Sequence, residues 1–193
     1  MQHKSDRWAQ SLNALCGKMA LQSNDRSRLS SALLYTSNEH FFSILTLCSK
    51  NIPASAFSLM RPQYEAFTRG LWVQFCAKDT QINSILSGKS FPKSNQEILD
   101  ALSKIPRYEE GQLNHLCKIV WKKSHDFTHG GGVQASWHIG RQSIGSQYTR
   151  KEIDGLCTIT NSISLANSIA LSELCNSPKS AYKLTRSYNR IFG

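Results

Sequence analysis

Two short stretches hold most of the side chains whose types and spacing suit chemistry. The first is His125-Asp126-Phe127-Thr128-His129-Gly130, at the foot of a run of three glycines, Gly130 to Gly132. On a helix, residues four apart fall about 40° apart around the axis, so both imidazoles share a face. An imidazole titrates near neutral pH, which suits it to take and return protons. The same spacing can hold zinc, as in HExxH enzymes, where the intervening glutamate is the base. Here Asp126 is shorter, and only His138 or Glu65 is on hand as a third ligand. Pairs at this spacing are common in helices, so no metal is expected. The plain alternative is two helix-end histidines, favoured by the macrodipole in the last turn. The concentration of Ser124, His125, Asp126, Thr128 and His129 where a helix meets the glycines favours a site.

The second stretch is Arg61-Pro-Gln-Tyr-Glu65-Ala-Phe-Thr-Arg69-Gly-Leu-Trp72. Arg61, Glu65, Thr68 and Arg69 form a narrow polar stripe on a helix otherwise rich in aromatics. Pro62 removes a backbone donor beside Arg61 and should kink the helix there. Charges on such a helix are costly to bury unless paired. They form either an ion-pair ladder or two guanidiniums held for a phosphate with Glu65 orienting one of them. From Gly130 to Arg141 the glycines bring backbone N–H groups near His129, yet no GxGxxG or GxxxxGK[ST] spacing is present. A plain helix stop and turn is the expectation there. No nucleophile–base triad is apparent.

These residues sit in a chain of 193 residues, 40% apolar, 19% charged, with 11 Gly and 5 Pro. That is enough apolar material for one sizeable core, and it excludes a disordered or collagen-like chain. Apolar runs are too short to span a bilayer. The opening MQHKSDRWAQ lacks the apolar stretch of a secretory signal, so a soluble, cytoplasmic domain is expected. Six cysteines are spread without CxxC spacing, which predicts reduced thiols in a reducing compartment. The net charge is +10. Lys118, Lys122, Lys123, Arg141, Arg150 and Lys151 face a single acid, Asp126, between 118 and 151. The tail from Ser177 has Lys179, Lys183, Arg186 and Arg190 and no acid. Such a field attracts phosphates, nucleic acid above all; Lys118, Lys122, Lys123 and Arg141 are the expected backbone contacts.

The elements that must position these groups read as helices throughout. A first helix is predicted over 5–22 from Trp8, Leu12, Leu15 and Met19, with Ser5 as its cap. A second runs from Asp25 to Ser49, with Leu29, Leu33, Thr36, His40, Ile44 and Leu47 on its apolar stripe. Pro53 opens a third over 54–78, which buries Phe57, Met60, Tyr64, Phe67, Leu71 and Phe75. Two short helices, about 80–86 and 95–103, precede a long one from near Glu110 to the glycines. Residues 133–148 read as an irregular loop. Thr149 and Glu152 form a capping box for a helix over 150–175, and Pro178 begins a basic one to about 191. No alternation of apolar and polar residues is sustained, so the class is all-α. One domain over 1–193 is expected, its bundle core at about 25–175.

The "MRPQYEAFTRGLW" helix, "HDFTHGG", a loop arginine and a final helix opening "YTRKEIDGL" resemble an uncharacterised bacterial family related to the HEPN superfamily. The resemblance implies a four- to five-helix up-down bundle, a homodimer and, in many members, a metal-independent ribonuclease of toxin–antitoxin or anti-phage systems. The superfamily signature is an Arg, a polar residue, three variable residues and a His. Here its His falls on His129, its polar residue on His125, and its Arg on Ser124. The resemblance thus implies His129 as acid or base with His125 as partner, and Arg61, Arg69 or Arg141 in place of the missing arginine. Asp126 and Glu65 would orient them, with no cofactor. A non-catalytic module that binds nucleic acid, a nucleotide or a partner protein is the alternative.

Overall fold

A computed structural model describes residues 1–16, 24–91, 93–128, 130–140 and 143–193, with the side chains of all but 16, 122–126 and 128. The described elements are helices: α1 (Gln2–Cys16), α2 (Asp25–Ser49), α3 (Pro53–Phe75), α4 (Asp79–Leu86), α5 (Asn95–Leu102), α6 (Gln112–Thr128), α7 (Gly132–Ser136), α8 (Arg150–Leu174) and α9 (Pro178–Phe192). Local signals account for most of the boundaries. The Asn24 side chain accepts from the Ser27 N–H at the start of α2. Pro53 fills the first turn of α3, where its missing N–H costs nothing. Thr149 and Glu152 close a capping box at α8. Gly130, at φ 65°, takes the left-handed conformation that ends many helices. No described helix is long and apolar enough to cross a membrane.

α3 is the central element. Its Phe57, Met60, Tyr64, Phe67, Leu71 and Trp72 are buried, and α2, α5, α6 and α8 all pack against it. α2 approaches α3 closely because small residues line the contact. A Cβ on Gly70 would meet Leu34 Cδ2 at 2.8 Å, and the Ser30 hydroxyl donates to the Gly70 carbonyl at 2.8 Å. The Ser37 hydroxyl donates to the Gln63 carbonyl at 2.9 Å. A second, smaller cluster joins Trp8 and Leu12 of α1 to Phe41 and Leu45 of α2, Cys157 of α8, and Leu184 and Ile191 of α9.

Several sequence expectations need correction. Ser5 is no cap: α1 begins at Gln2, and Ser5 is buried with its oxygen accepting from Asn161 at 2.8 Å. The rest of the expected helix beyond Cys16, with Met19, lies outside the described residues. The buried face of α2 is Ser30, Leu34, Ser37, Phe41, Ile44 and Cys48, which keeps Ile44 of the expected stripe and otherwise lies about one position round from it. Close packing against α3 favours serine there, and it leaves Leu33, Thr36 and His40 half-buried at the rim. Phe75, expected in the core, is exposed at the end of α3. Helix α3 runs on through Pro62. Residues 133–148 are not irregular throughout: Gly132 opens α7, and Ile139 bridges Ile144 in antiparallel fashion.

Candidate functional site

Helical spacing sets Arg61, Glu65 and Arg69 in a row on the outer side of α3. Glu65 joins the two arginines with one oxygen each: Arg61 Nε donates to Oε1 at 2.8 Å, and Arg69 Nη2 lies 3.0 Å from Oε2. The Glu65 side chain is only 17% exposed, against 27% for Arg61 and 35% for Arg69. Each guanidinium also rests on an aromatic ring from elsewhere. Arg61 lies 4.6 Å from the ring centre of Trp121 on α6, and Arg69 lies 5.3 Å from that of Phe91. Planar guanidiniums held at once by a carboxylate and a ring lose most of their rotameric freedom. Arg69 Nε is buried and has no hydrogen-bond partner among the described residues.

The row borders an open groove of about 420 Å³ between α2 and α3. Arg61, Pro62, Glu65, Ala66 and Arg69 make one wall, while Leu33, Thr36 and His40 make the other. The Thr36 hydroxyl is turned back to the Ala32 carbonyl at 3.0 Å. Burial holds the His40 imidazole below its ordinary value, with the adjacent Glu39 carboxylate pulling it up. A neutral imidazole across from two guanidiniums leaves the groove with one net positive charge once Glu65 is counted. Such a groove suits one phosphate or carboxylate group.

The other predicted motif abuts the same helix. Phe127 is buried and stacks on Phe57 with ring centres 4.9 Å apart. Its carbonyl accepts from the Ser58 hydroxyl at 2.8 Å. Trp137 and Tyr148 complete the aromatic cluster around it. The foot of α6 is thereby fastened to α3 less than one turn from Arg61. The backbone of His125 and Asp126 lies in this last part of α6, whereas their side chains and those of Lys122 and Lys123 lie outside the described residues, as do His129 and Arg141. Lys118 is exposed on α6.

His138, considered as a ligand, instead has its Nδ1 2.9 Å from the Gln134 carbonyl and its ring edge-on to Tyr148. Glu65 is taken up by the two arginines. Among the described residues, no group of three or more His, Cys, Asp or Glu side chains is placed to hold a metal. Tyr64 lies beneath the site, its hydroxyl donating to the Leu113 carbonyl at 2.6 Å and its ring edge-on to Trp121. Burial pushes the Tyr64 hydroxyl and the nearby Cys117 thiol up, so both stay protonated at neutral pH.

Sequence reasoning found the charged row but missed its supports. Trp121 and Phe91 come from other elements, and neither is in register with Arg61 or Arg69 along the chain. The rim residues Leu33, Thr36 and His40 are legible as one stripe of α2, but nothing in the sequence says what that stripe faces. A histidine and a threonine in it hint only that it is not wholly apolar.

Neither a curated protein nor a solved structure matches the chain. The family of unknown function DUF6988 matches residues 34–192, which takes in the groove apart from Leu33, the HDFTH motif and the C-terminal helix up to Phe192. The chain belongs to that family.

Proposed function

We propose that the protein binds RNA in the α2–α3 groove and cleaves it without a metal, as a HEPN-like up-down bundle. In this reading it works as a homodimer in the cytoplasm, in a bacterial toxin or anti-phage system, beside a protein partner. The observation that carries the reading is the position of Arg61. It belongs to the groove through Glu65 and touches α6 through Trp121. It also stands one short step from Ser58, which holds the carbonyl of Phe127 in the HDFTH motif. One cation is thus shared by the place where a phosphate would sit and the helix that carries His125.

In the proposed reaction, His129 takes the proton of a ribose 2′-hydroxyl, and that oxygen attacks the adjacent phosphorus. The bond from phosphorus to the 5′-oxygen breaks, His125 protonates the leaving oxygen, and the products are a 2′,3′-cyclic phosphate and a 5′-hydroxyl. Arg61 offsets charge developing on the phosphorus oxygens, the role that the superfamily signature gives to an arginine where this chain has Ser124. Glu65 orients Arg61 and Arg69; Asp126 orients the histidines.

A second reading has its own support. Glu65 already pairs with both arginines, a self-contained arrangement that a non-catalytic binding module would keep. The test is cleavage of mixed RNAs in EDTA by wild type, His129→Ala and Arg61→Gln. Cleavage by wild type that both variants lose by about a hundredfold or more supports the ribonuclease. RNA retention without cleavage by any of them supports the binding module.

A further inference from the structure

Helix α9 is held to the bundle by one face and carries unpaired cations on the other. Leu184 and Ile191 are buried, Tyr188 meets Trp8 edge-on at 5.2 Å, and the Ser187 hydroxyl donates to Ser11 Oγ at 3.0 Å. Its packing partners are α1 and α8. Lys179, Lys183, Arg186 and Arg190 are all exposed, and none pairs with a carboxylate among the described residues. They recur at intervals of four, three and four residues, so they form one stripe about 16 Å long at 1.5 Å per residue. Tyr182, 68% exposed, stands among them with its ring free to stack. Arg7 is exposed on the neighbouring α1, one turn before Ser11, the residue that meets Ser187.

We infer that this outer face of α9 is a second nucleic-acid surface, binding the backbone of single-stranded RNA without regard to sequence, apart from the α2–α3 groove. Four cations with no acid on the helix match a polyanion of regular charge. An exposed aromatic ring among cations is what a base can stack on. A basic amphipathic helix can also lie on an anionic membrane, but it needs its apolar face for that. Here that face is spent on Trp8 and the rest of the small cluster, so the helix has only its charges and one ring to offer. The inference shares with the proposed function the choice of RNA as ligand, but rests on different residues.

The experiment is titration of a fluorescent single-stranded RNA with the full chain by anisotropy, at several salt concentrations. It compares wild type with Lys183→Glu/Arg186→Glu, Tyr182→Ala and the groove variant Arg61→Gln. The double variant changes only exposed side chains, so its fold is retained, and circular dichroism checks this. It is expected to bind about tenfold or more weakly, with a salt slope lower by about 1.4, at roughly 0.7 per lost phosphate contact on a single strand. Tyr182→Ala is expected to bind about fivefold or more weakly with the slope unchanged. Unchanged affinity and slope in the double variant overturn the inference, as does the absence of RNA binding by wild type. Binding to phosphatidylcholine vesicles containing phosphatidylserine in place of RNA also overturns it. Loss of cleavage in Arg61→Gln with the α9 effect intact leaves this surface standing, whereas loss of binding in Arg61→Gln alone assigns the RNA to the groove.

Discussion

Two rows of polar side chains run along helices of this protein, and they differ in nearly every physical respect. The row on α8, from Thr160 and Asn161 through Ser164, Asn167 and Ser168 to Ser172, is neutral, small and fully buried. The row on α3, Arg61–Glu65–Arg69, is charged, long and half-open to a groove. The α8 row bonds to its surroundings at short range. Asn167 Nδ2 donates to the Leu34 carbonyl and to Asn38 Oδ1, both at 2.9 Å, and Trp8 Nε1 donates to Ser164 Oγ at 2.7 Å. Such a seam lets helices approach closely, with Asn161 Oδ1 and Asn167 Oδ1 its two buried acceptors without a partner among the described residues. The α3 row bonds chiefly within itself and rests on rings, so it keeps cationic surface facing solvent. Buried neutral polarity here joins the helices, whereas the half-buried charge borders an open groove.

The contrast is sharpest at Gln63, a buried residue of α3 that bonds the α8 row from a different face of the helix than the charged row. Its Nε2 donates to the Thr160 carbonyl at 3.2 Å, and its Oε1 accepts from the Thr160 hydroxyl. Gln63→Ala removes a buried side chain and takes the acceptor from the buried Thr160 hydroxyl. A loss of about 3 kcal/mol is expected from the cavity and the unpaired hydroxyl together. Urea unfolding followed by circular dichroism reads this as a lower midpoint at unchanged slope. A loss below about 1 kcal/mol would mean that the neutral seam is dispensable and the contrast is misdrawn.

Glu65→Gln, only two residues further along α3, tests the opposite side of the comparison. It keeps the size of the side chain and one acceptor oxygen while removing the charge. The two guanidiniums are open enough to water to be solvated without the carboxylate, so the stability loss is expected to stay below about 1 kcal/mol. The functional effect is expected to be larger, because both guanidiniums lose the carboxylate that holds them. Under the proposed ribonuclease, cleavage in EDTA falls about tenfold or more with little change in the unfolding midpoint. A large loss of stability with unaltered cleavage would instead class this row with the structural seam.

The sequence made some of this contrast legible and hid the rest for identifiable reasons. The α3 row was visible because three charged residues at helical spacing stand out among aromatics. The ends of α2 and α8 were visible because caps are local: Asn24, Thr149 and Glu152 bond within a few residues of themselves. The buried face of α2 was not, because serines at a close helix contact look like solvent-facing residues in a hydrophobicity pattern. Ser30 and Ser37 are buried for what their hydroxyls reach on α3, and that partner is invisible from α2 alone. The rings beneath the arginines were hidden for the same reason. Phe127 shows a subtler limit: its neighbours suggested a wholly polar site, yet it is the anchor that fixes the motif to α3.

His40, on the rim of the groove, lies between the two cases and gives the smallest expected effect. Burial holds its imidazole below the ordinary 6.5, with Glu39 opposing. The unfolded chain therefore takes up a proton at a higher pH than the folded protein does. Stability from this site is complete above about 6.5 and declines as pH falls through that value toward the folded one. A buried seam residue has no such dependence, and a fully exposed histidine has none either. His40→Gln is expected to flatten the decline between pH 7 and pH 5 while leaving stability near pH 7.5 almost unchanged, as read from urea midpoints across that range. The charged groups around it are Arg61, Glu65 and Arg69 across the groove and Glu39 on its own helix, and they are the same in both proteins. Equal slopes for wild type and variant would show that the rim is open enough to solvate an imidazolium, and that the groove is more like free surface than its walls suggest.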